Sequence, residues 1–365
     1  MVKAKAKAKA KVKAKTKTKT KIEAGAETEV KDKKESSSLD IALNSVNKKH
    51  GSVLRWLSEV PNDQIEYIST GSISLDYALG GGLPRGRIVE IFGWESSGKS
   101  TLAMAVAAEA NKRGLKCLYI DAERALDPRL PVSYGVDPTM FMLEDAPLTA
   151  ENHFEIIHDV VGSGDIAMVV VDSVSSLVPK AVMEGKVGQS HVGQLARFLS
   201  QECTSLIHLI GNTNCLFIFI NQYREKIMRI PGDPRTTSGG NAIKFYSTHR
   251  IEVAGSGKTK TGALFNVNGD VIGHKMKFKI LKNKVNIPYR SGEIDLIYGQ
   301  GYDTTAELVD IASDLGIISV RGSWFFYGED IRVQGRQAFK DLLLEKNKLR
   351  KAIRKDVLGI LKIGS

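Results

Sequence analysis

Gly93-Trp94-Glu95-Ser96-Ser97-Gly98-Lys99-Ser100 is a complete G-x-x-x-x-G-K-[ST] run. An apolar stretch over residues 87–92 precedes it, and a helical pattern over 101–112 follows. That strand-loop-helix context is what a phosphate loop requires. Gly93 and Gly98 let the backbone fold back so that successive N–H groups face inward. With the helix N-terminus they form an anion cradle. Lys99 then reaches the β and γ phosphates of a nucleoside triphosphate, and Ser100 offers a hydroxyl to Mg2+. The whole run, with Thr101, is the candidate nucleotide site. A Gly-rich turn with a surface lysine is the plainer reading, and the flanking strand and helix argue against it.

Hydrolysis needs further groups, and three apolar stretches end in suitable ones. Met168-Val169-Val170-Val171-Asp172-Ser173 places a carboxylate at a strand end, where Asp172 would hold Mg2+ directly or through water. The stretch 117–120 runs into Asp121-Ala122-Glu123, and Glu123 could polarise an attacking water. Composition alone leaves open that Glu123 merely caps a helix or pairs with a cation. The stretch 216–220 ends in Asn221-Gln222. A neutral amide there can hydrogen-bond a γ-phosphate without repelling it, and so report its presence.

These groups need a scaffold that brings several strand ends together. From residue 65 to 302, apolar strand-like runs (88–92, 117–120, 167–171, 216–220) alternate with helical stretches (100–113, 150–162, 191–210). Runs apolar on both faces, alternating with helices, predict an α/β fold with a mostly parallel sheet covered on both sides. Residues 303–365 change in texture. The pattern predicts a helix over 306–315, a short strand over 324–327 and one Lys-rich helix over 338–361, a small C-terminal domain. Residues 36–64 form a separate N-terminal segment. There Ser38 is the expected cap of a helix carrying Leu39, Leu43 and Val46 on one side, a stripe suited to packing on its own domain or a neighbouring subunit.

Composition sets the outer bounds. The 365 residues are 42% hydrophobic and 25% charged, near the globular average, and no run of 18 apolar residues occurs. No membrane association is expected, and without an apolar leader the cytoplasm is the default location. The net charge is +11, but ten lysines at odd positions from Lys3 to Lys21 account for nearly all of it. The body is nearly neutral, so any nucleic-acid site there must be a local patch. Residues 1–35 are low in complexity and read as a disordered tail. That tail is either a polybasic arm holding nucleic acid loosely or a solubilising extension. Three dispersed cysteines, Cys117, Cys203 and Cys215, support neither a zinc site nor a disulfide framework.

Taken together, the chain resembles RecA-type recombinases of bacteria and their phages. The resemblance runs from about residue 38 to 340. It rests on residues 69–76, 86–101, 119–128, 184–193, 219–222 and 236–246, and on Lys282-Asn283-Lys284. It implies a RecA-like phosphate-loop ATPase core with an N-terminal polymerisation helix. It also implies a DNA-dependent ATPase that forms filaments on single-stranded DNA, pairs it with homologous duplex and exchanges strands. The cofactors are then ATP and Mg2+. The partners are single- and double-stranded DNA and further copies of the chain, with a LexA-type repressor as another partner the resemblance raises. Glu123 aligns with the family's catalytic glutamate, acting with Lys99, and Gln222 with the γ-phosphate sensor. Asp127 falls in the nucleotide site. Lys282 and Lys284 match a pair that reaches a neighbour's ATP, and Phe245 an aromatic of the same interface.

Two loops would hold DNA by this resemblance, 183–193 and 223–241. Arg224, Lys226, Arg229 and Arg235 supply cations, and Thr236, Thr237, Ser238, Gly239, Gly240 and Asn241 supply hydroxyls and open backbone N–H groups. Arg197, on the helix after the first loop, is a further contact. Neither loop is rich in aromatics, so backbone tracking should outweigh stacking.

Several positions depart from the family pattern. Trp94 stands where relatives usually have Pro. Arg129-Leu130 follow Asp127-Pro128 where many relatives stack an aromatic on adenine, and Tyr134 is the nearest substitute. Thr204 replaces a DNA-contacting Arg, residues 255–270 look longer than the usual hairpin, and the chain ends basic instead of acidic. Basic extensions at both ends suggest DNA access less restrained than in those relatives. A ring-forming motor of the same core and an inactive paralogue are the alternatives. The N-terminal helix and lysine pair argue against the first, and the intact Lys99, Ser100, Glu123 and Asp172 against the second.

Overall fold

A computed structural model describes residues 37–51, 53–60, 65–185, 193–225, 235–255, 262–265 and 268–363. The chain divides into two units, one ending at Gln64 and one starting at Ile65.

The described part of the first unit contains one helix, α1 (Ser38–His50). Its cap is Ser37 and not the expected Ser38. Ser37 Oγ accepts from Asp40 N at 3.2 Å, and Asp40 Oδ2 accepts from Ser37 N at 3.0 Å. This reciprocal capping box needs an acid three residues on, which only Ser37 has. Asn47 ties the following segment back, exchanging two hydrogen bonds with Leu54 at 2.6 and 2.7 Å. No residue of α1 is buried.

The second unit is built on a sheet of 11 strands among the described residues. In chain order these are β1 (Ile88–Gly93), β2 (Lys116–Asp121), β3 (Phe141–Glu144), β4 (Ile166–Asp172), β5 (Leu216–Glu225), β6 (Arg235–Thr237), β7 (His249–Gly255), β8 (Ala263–Phe265), β9 (Val271–Asn283), β10 (Ser291–Ile297) and β11 (Gly301–Tyr302). The spatial order is β11-β10-β9-β7-β1-β5-β4-β2-β3, with β6 beside β5 and β8 beside β9. Strands β7 through β3 in that order pair parallel, and β9, β10 and β11 extend the sheet antiparallel.

Side chains alternate between two cores. Val89, Ile91, Val170, Ile218 and Ile220 pack with Leu102, Ala103 and Val106 of α3 (Lys99–Asn111). Ile88, Val169, Val171, Phe217 and Phe219 pack with Phe154 and Ile157 of α4 (Ala150–Gly162) and Leu199 and Leu206 of α5 (Gln194–Thr213). Fully burying one such side chain is worth about 1.5–3 kcal/mol. Strand propensities span only ~1 kcal/mol. Packing therefore sets which residues face which layer.

A third core holds the C-terminal part. It joins α7 (Thr304–Asp314), α8 (Arg336–Glu345) and α9 (Asn347–Leu361) to the small antiparallel sheet β12 (Ser319–Arg321), β13 (Trp324–Tyr327) and β14 (Ile331–Gln334). A short helix, α6 (Ala242–Tyr246), precedes β7. The single helix expected over 338–361 is two, because Lys346 leaves the helical region at φ −102° and ψ 78°. The break lets Phe339 and Leu343 of α8 and Ile353 and Val357 of α9 all enter one core. A straight helix would carry one pair away from it.

Glu307 of α7 fastens this core to α2 (Ile73–Leu79). Its carboxylate accepts from Ser72 Oγ and Ser74 Oγ at 2.5 Å, Ser74 N at 3.0 Å and Ile73 N at 3.1 Å. It thus satisfies backbone donors that a helix start leaves open. Glu307→Ala should lower stability by about 1–3 kcal/mol, read as an earlier midpoint in urea unfolding. An unchanged midpoint would remove Glu307 from this role.

Candidate functional site

The parallel strands β1, β5, β4 and β2 lie side by side and end at one edge of the sheet. In register, Gly93 stands opposite Gln222, and Asp121 opposite Asp172. The phosphate loop and all three sequence-derived strand ends therefore converge.

Gly93 is required by a close approach. A Cβ there would lie 2.0 Å from the Val253 carbonyl oxygen of β7 and 3.0 Å from Ser97 Oγ. The chain passes close beside β7 there because nothing projects from that position. Lys99 opens α3 and is buried, and its Nζ donates to the Trp94 carbonyl at 2.7 Å. Burial pushes the Lys99 pKa down, against the upward pull of Asp172, Glu123 and Glu95. The Ser97 hydroxyl is buried in the loop and has no protein partner. A buried ammonium at a helix N-terminus and an unsatisfied hydroxyl suit an anionic ligand. Trp94 is half exposed, with its ring centroid 5.5 Å from that of Tyr223.

Asp172 sits beside the loop, buried. One oxygen, Oδ2, accepts from Ser100 Oγ at 2.5 Å and from Tyr119 OH at 2.6 Å. Burial pushes its carboxyl above the usual range, with Glu123 and Asp121 adding to the push and the two hydrogen bonds opposing it. Among the described residues no cluster of three or more His, Cys, Asp or Glu could cage a metal alone. The oxygen pair Ser100 and Asp172 instead suits Mg2+, which takes few protein ligands and completes its shell with water and phosphate.

Glu123 is exposed. Its Oε1 accepts from Ser173 Oγ at 2.5 Å and from Gln222 Nε2 at 2.8 Å, so the two sequence-derived residues bond directly. Behind Gln222 lies a buried network that residue patterns did not reveal. Asn221 Nδ2 donates to Glu90 Oε1 at 3.1 Å and to the Ser238 carbonyl at 3.0 Å. Asn221 Oδ1 accepts from Gln222 N and Ser238 N. Glu90, fully buried, takes a 2.5 Å hydrogen bond from Arg250 Nε. The available signal was Glu90 itself, an acid inside an otherwise apolar strand. Tyr119 gave none, because a buried ring reads as core.

The lysine pair folds onto α6. Lys282 Nζ donates to the carbonyls of Lys244 and Phe245 at 2.8 and 2.9 Å, and Lys284 Nζ to that of Phe245 at 3.4 Å. The Phe245 side chain is 71% exposed. Asp127 is exposed, and the guanidinium and then the amide of Arg129 hold its carboxyl down to about 2.

Other expectations change. Tyr134 and Leu130 are partly buried against the inner core, and Tyr134 also lies against Gly301. The hydroxyls of Thr237 and Ser238 are buried, not offered at the surface. Gly239 has φ +79°, and a Cβ there would lie 2.5 Å from Leu199 of α5. That glycine lets the loop pack closely on α5. Thr236 Oγ1 accepts from Lys244 Nζ at 3.1 Å, and Gly240 and Asn241 are exposed. Arg197 and Arg224 are exposed, and Arg235 lies over the Tyr223 ring at 4.8 Å while reaching Glu252 at 3.4 Å. Lys226 and Arg229 lie outside the described residues, as does most of the first loop. Thr204 Oγ1 is tied to the Ser200 carbonyl and to Tyr246 OH, both at 3.0 Å. The three cysteines are buried, and burial raises each thiol to about 12.

The family described as RecA N-terminal domain matches residues 37–303, and that described as RecA C-terminal domain matches 306–362. The chain belongs to the RecA family. It is 46% identical over 317 residues to Protein RecA of Lactobacillus johnsonii, covering 86% of this chain and 85% of the relative. It is 42% identical over 330 residues to Protein RecA of Thermus aquaticus (90% and 95% covered) and 43% over 326 to that of Aquifex pyrophilus (89% and 92% covered). Membership carries the RecA activity: a DNA-dependent ATPase that assembles on DNA and exchanges strands in recombination and repair. No helix among the described residues is long and apolar enough to cross a membrane.

Tyr119→Phe deletes one of the two donors that orient Asp172. It should raise the Mg2+ concentration for half-maximal ATP hydrolysis on the order of tenfold, measured by Mg2+ titration. An unchanged requirement would make Tyr119 a core residue only.

Proposed function

We propose that the edge formed by β1, β5, β4 and β2 binds and hydrolyses ATP, with Glu123 activating water and Gln222 coupling hydrolysis to DNA. The observation that carries this is the 2.8 Å hydrogen bond between Gln222 Nε2 and Glu123 Oε1. It joins a carboxylate at the nucleotide edge to the strand that leads into the 223–241 loop.

The phosphate-loop amides and Lys99 hold the β and γ phosphates. Ser100 and Asp172 hold Mg2+, which when bound neutralises phosphate charge and orients the chain of phosphates. Gln222 has one amide and two acceptors to choose from. Bonded to Glu123, it occupies the carboxylate lobe that would hold water. Turned to a γ-phosphate, it frees that lobe and shifts β5, and Asn221 passes the shift to Ser238 at the end of the loop. Ser173 keeps Glu123 in place in both settings.

Assembly places further residues. Lys282, Lys284 and the exposed Phe245 are the face offered to a neighbouring copy, with the two ammonium groups reaching that copy's ATP. The N-terminal unit supplies a second apolar contact, because Leu39, Ile41, Trp56 and Leu57 are all exposed within it. Arg197, Arg224, Arg235, Gly240 and Asn241 contact DNA phosphates with the rest of both loops. ATP binding favours the DNA-bound filament because it touches both subunits only in that state.

Glu123→Gln should retain ATP binding and lose turnover by roughly 10²–10⁴-fold, measured by nucleotide binding and single-turnover hydrolysis. Normal turnover would remove Glu123 from the chemistry. Lys99→Ala should lose both binding and turnover. In the unaltered protein, single-stranded DNA should stimulate hydrolysis, and added salt should erase the stimulation. Hydrolysis indifferent to DNA would break the proposed coupling through Gln222.

A further inference from the structure

Trp94 is the second residue of the phosphate loop, and its backbone and its ring meet different partners. The backbone carbonyl accepts from Lys99 Nζ at 2.7 Å. The half-exposed ring lies against Tyr223, with centroids 5.5 Å apart and planes at 46°. Tyr223 follows Gln222 and opens the 223–241 loop. Its ring also meets Phe92 of β1 edge-on, at 5.4 Å and 84°, and its hydroxyl donates to Glu252 Oε1 of β7 at 2.7 Å. Arg235 joins the same set. Its guanidinium lies 4.8 Å from the Tyr223 centroid, and its Nη1 is 3.4 Å from the same Glu252 oxygen. Tyr223 pairs with Thr237, and Glu225 with Arg235, so these residues form the two strands at the base of the loop.

A phosphate loop needs its glycines, its lysine and its hydroxyl. It has no need of a large ring at its second position, and Phe92 and Glu252 already hold Tyr223 on two other sides. What the Trp94 ring adds is a contact between two loops with different ligands. An ammonium has three donors, and Lys99 directs one of them to the Trp94 carbonyl. Movement of that ammonium toward the β and γ phosphates changes this bond and so bears on where the ring lies. The Gln222 route runs through Glu123 and Asn221. The Trp94 route shares neither residue and reaches the loop one position further on.

We propose that Trp94 is a positioning residue for DNA binding. Through its ring on Tyr223 it carries the position of Lys99 to Arg235 and the base of the 223–241 loop, in parallel with Gln222. This rests on the reading that the strand edge binds ATP and that the loop binds DNA, and it adds a second link between them. Such a link is reciprocal, so DNA on the loop must also be felt at the Trp94 ring.

The test is the Kd of the full chain for fluorescein-labelled oligo(dT), read by anisotropy without and with a non-hydrolysable ATP analogue and Mg2+. The ratio of the two values measures the coupling. Trp94→Ala and Tyr223→Leu should each lower that ratio roughly two- to tenfold, the worth of one aromatic pair. The double variant should lower it no further than either change alone. Trp94→Phe keeps a ring and should restore most of the ratio. Trp56→Phe with Trp324→Phe leaves Trp94 as the single tryptophan. In that background oligo(dT) alone should change its emission, and Tyr223→Leu should abolish the change. A ratio unchanged in Trp94→Ala, losses that add in the double variant, a Trp94→Phe loss as large as that of Trp94→Ala, or emission blind to DNA would each overturn the inference. Gln222→Ala separates it from the wider reading. A ratio lowered by Gln222→Ala and untouched by the Trp94 variants would sink the Trp94 link and leave the Gln222 route standing. A ratio of one in the unaltered protein would sink both.

Discussion

Burying a carboxylate at the edge of an apolar sheet is unfavourable, and the surroundings of Asp172 are what make it tolerable. Two hydroxyls, from α3 and β2, converge on a single oxygen of that group. A second carboxylate, Glu123, stands close enough to raise the Asp172 pKa further. The cluster is therefore electrostatically incomplete on its own, which suits a cation. That incompleteness depends on four parallel strands ending together. It also depends on β1 ending beside β7 at Gly93, where only a hydrogen atom fits.

The same edge is linked backward into the sheet. Glu90, three residues before Gly93, pairs with Arg250 on one side of β1 and with Asn221 on the other. Arg250 also lies over the Phe92 ring at 4.6 Å. A buried ion pair is weak evidence for stability by itself, but one with satisfied partners on three strands restricts how those strands can move. Asn221 is bonded at once to Glu90, to the Gln222 amide and to both polar groups of the Ser238 backbone. Asn221 thereby links Gln222 to β1 and to the end of the 223–241 loop. The lysine pair adds a second tether, gripping the carbonyls of α6 and leaving the Phe245 ring outward.

The C-terminal part is attached through a different device. Glu307 caps α2 with four hydrogen bonds, and Ile73 of α2 enters the C-terminal core. An electrostatic cap and an apolar contact thus act on the same helix start. On the small sheet the Arg332 guanidinium lies over the Trp324 ring at 4.0 Å.

The sequence by itself determined the phosphate loop, the acids and amide at the strand ends, and the alternation that makes the core an α/β sheet. These are legible because they are local: loop spacing, an apolar run of fixed period, and one polar residue where it stops. It also showed which positions depart from the family pattern. Only the tertiary structure decided how those groups meet. Gln222 and Glu123 are 99 residues apart and bond because β5, β4 and β2 are neighbours. Tyr119 and Glu90 act at the site from inside strands, where sequence shows only core. The Thr237 and Ser238 hydroxyls went the other way, from expected ligand groups to packed interior. Residue type states what a side chain can do. Burial and strand order state what it is near, and they are set by the summed packing of the whole domain, which no local pattern records.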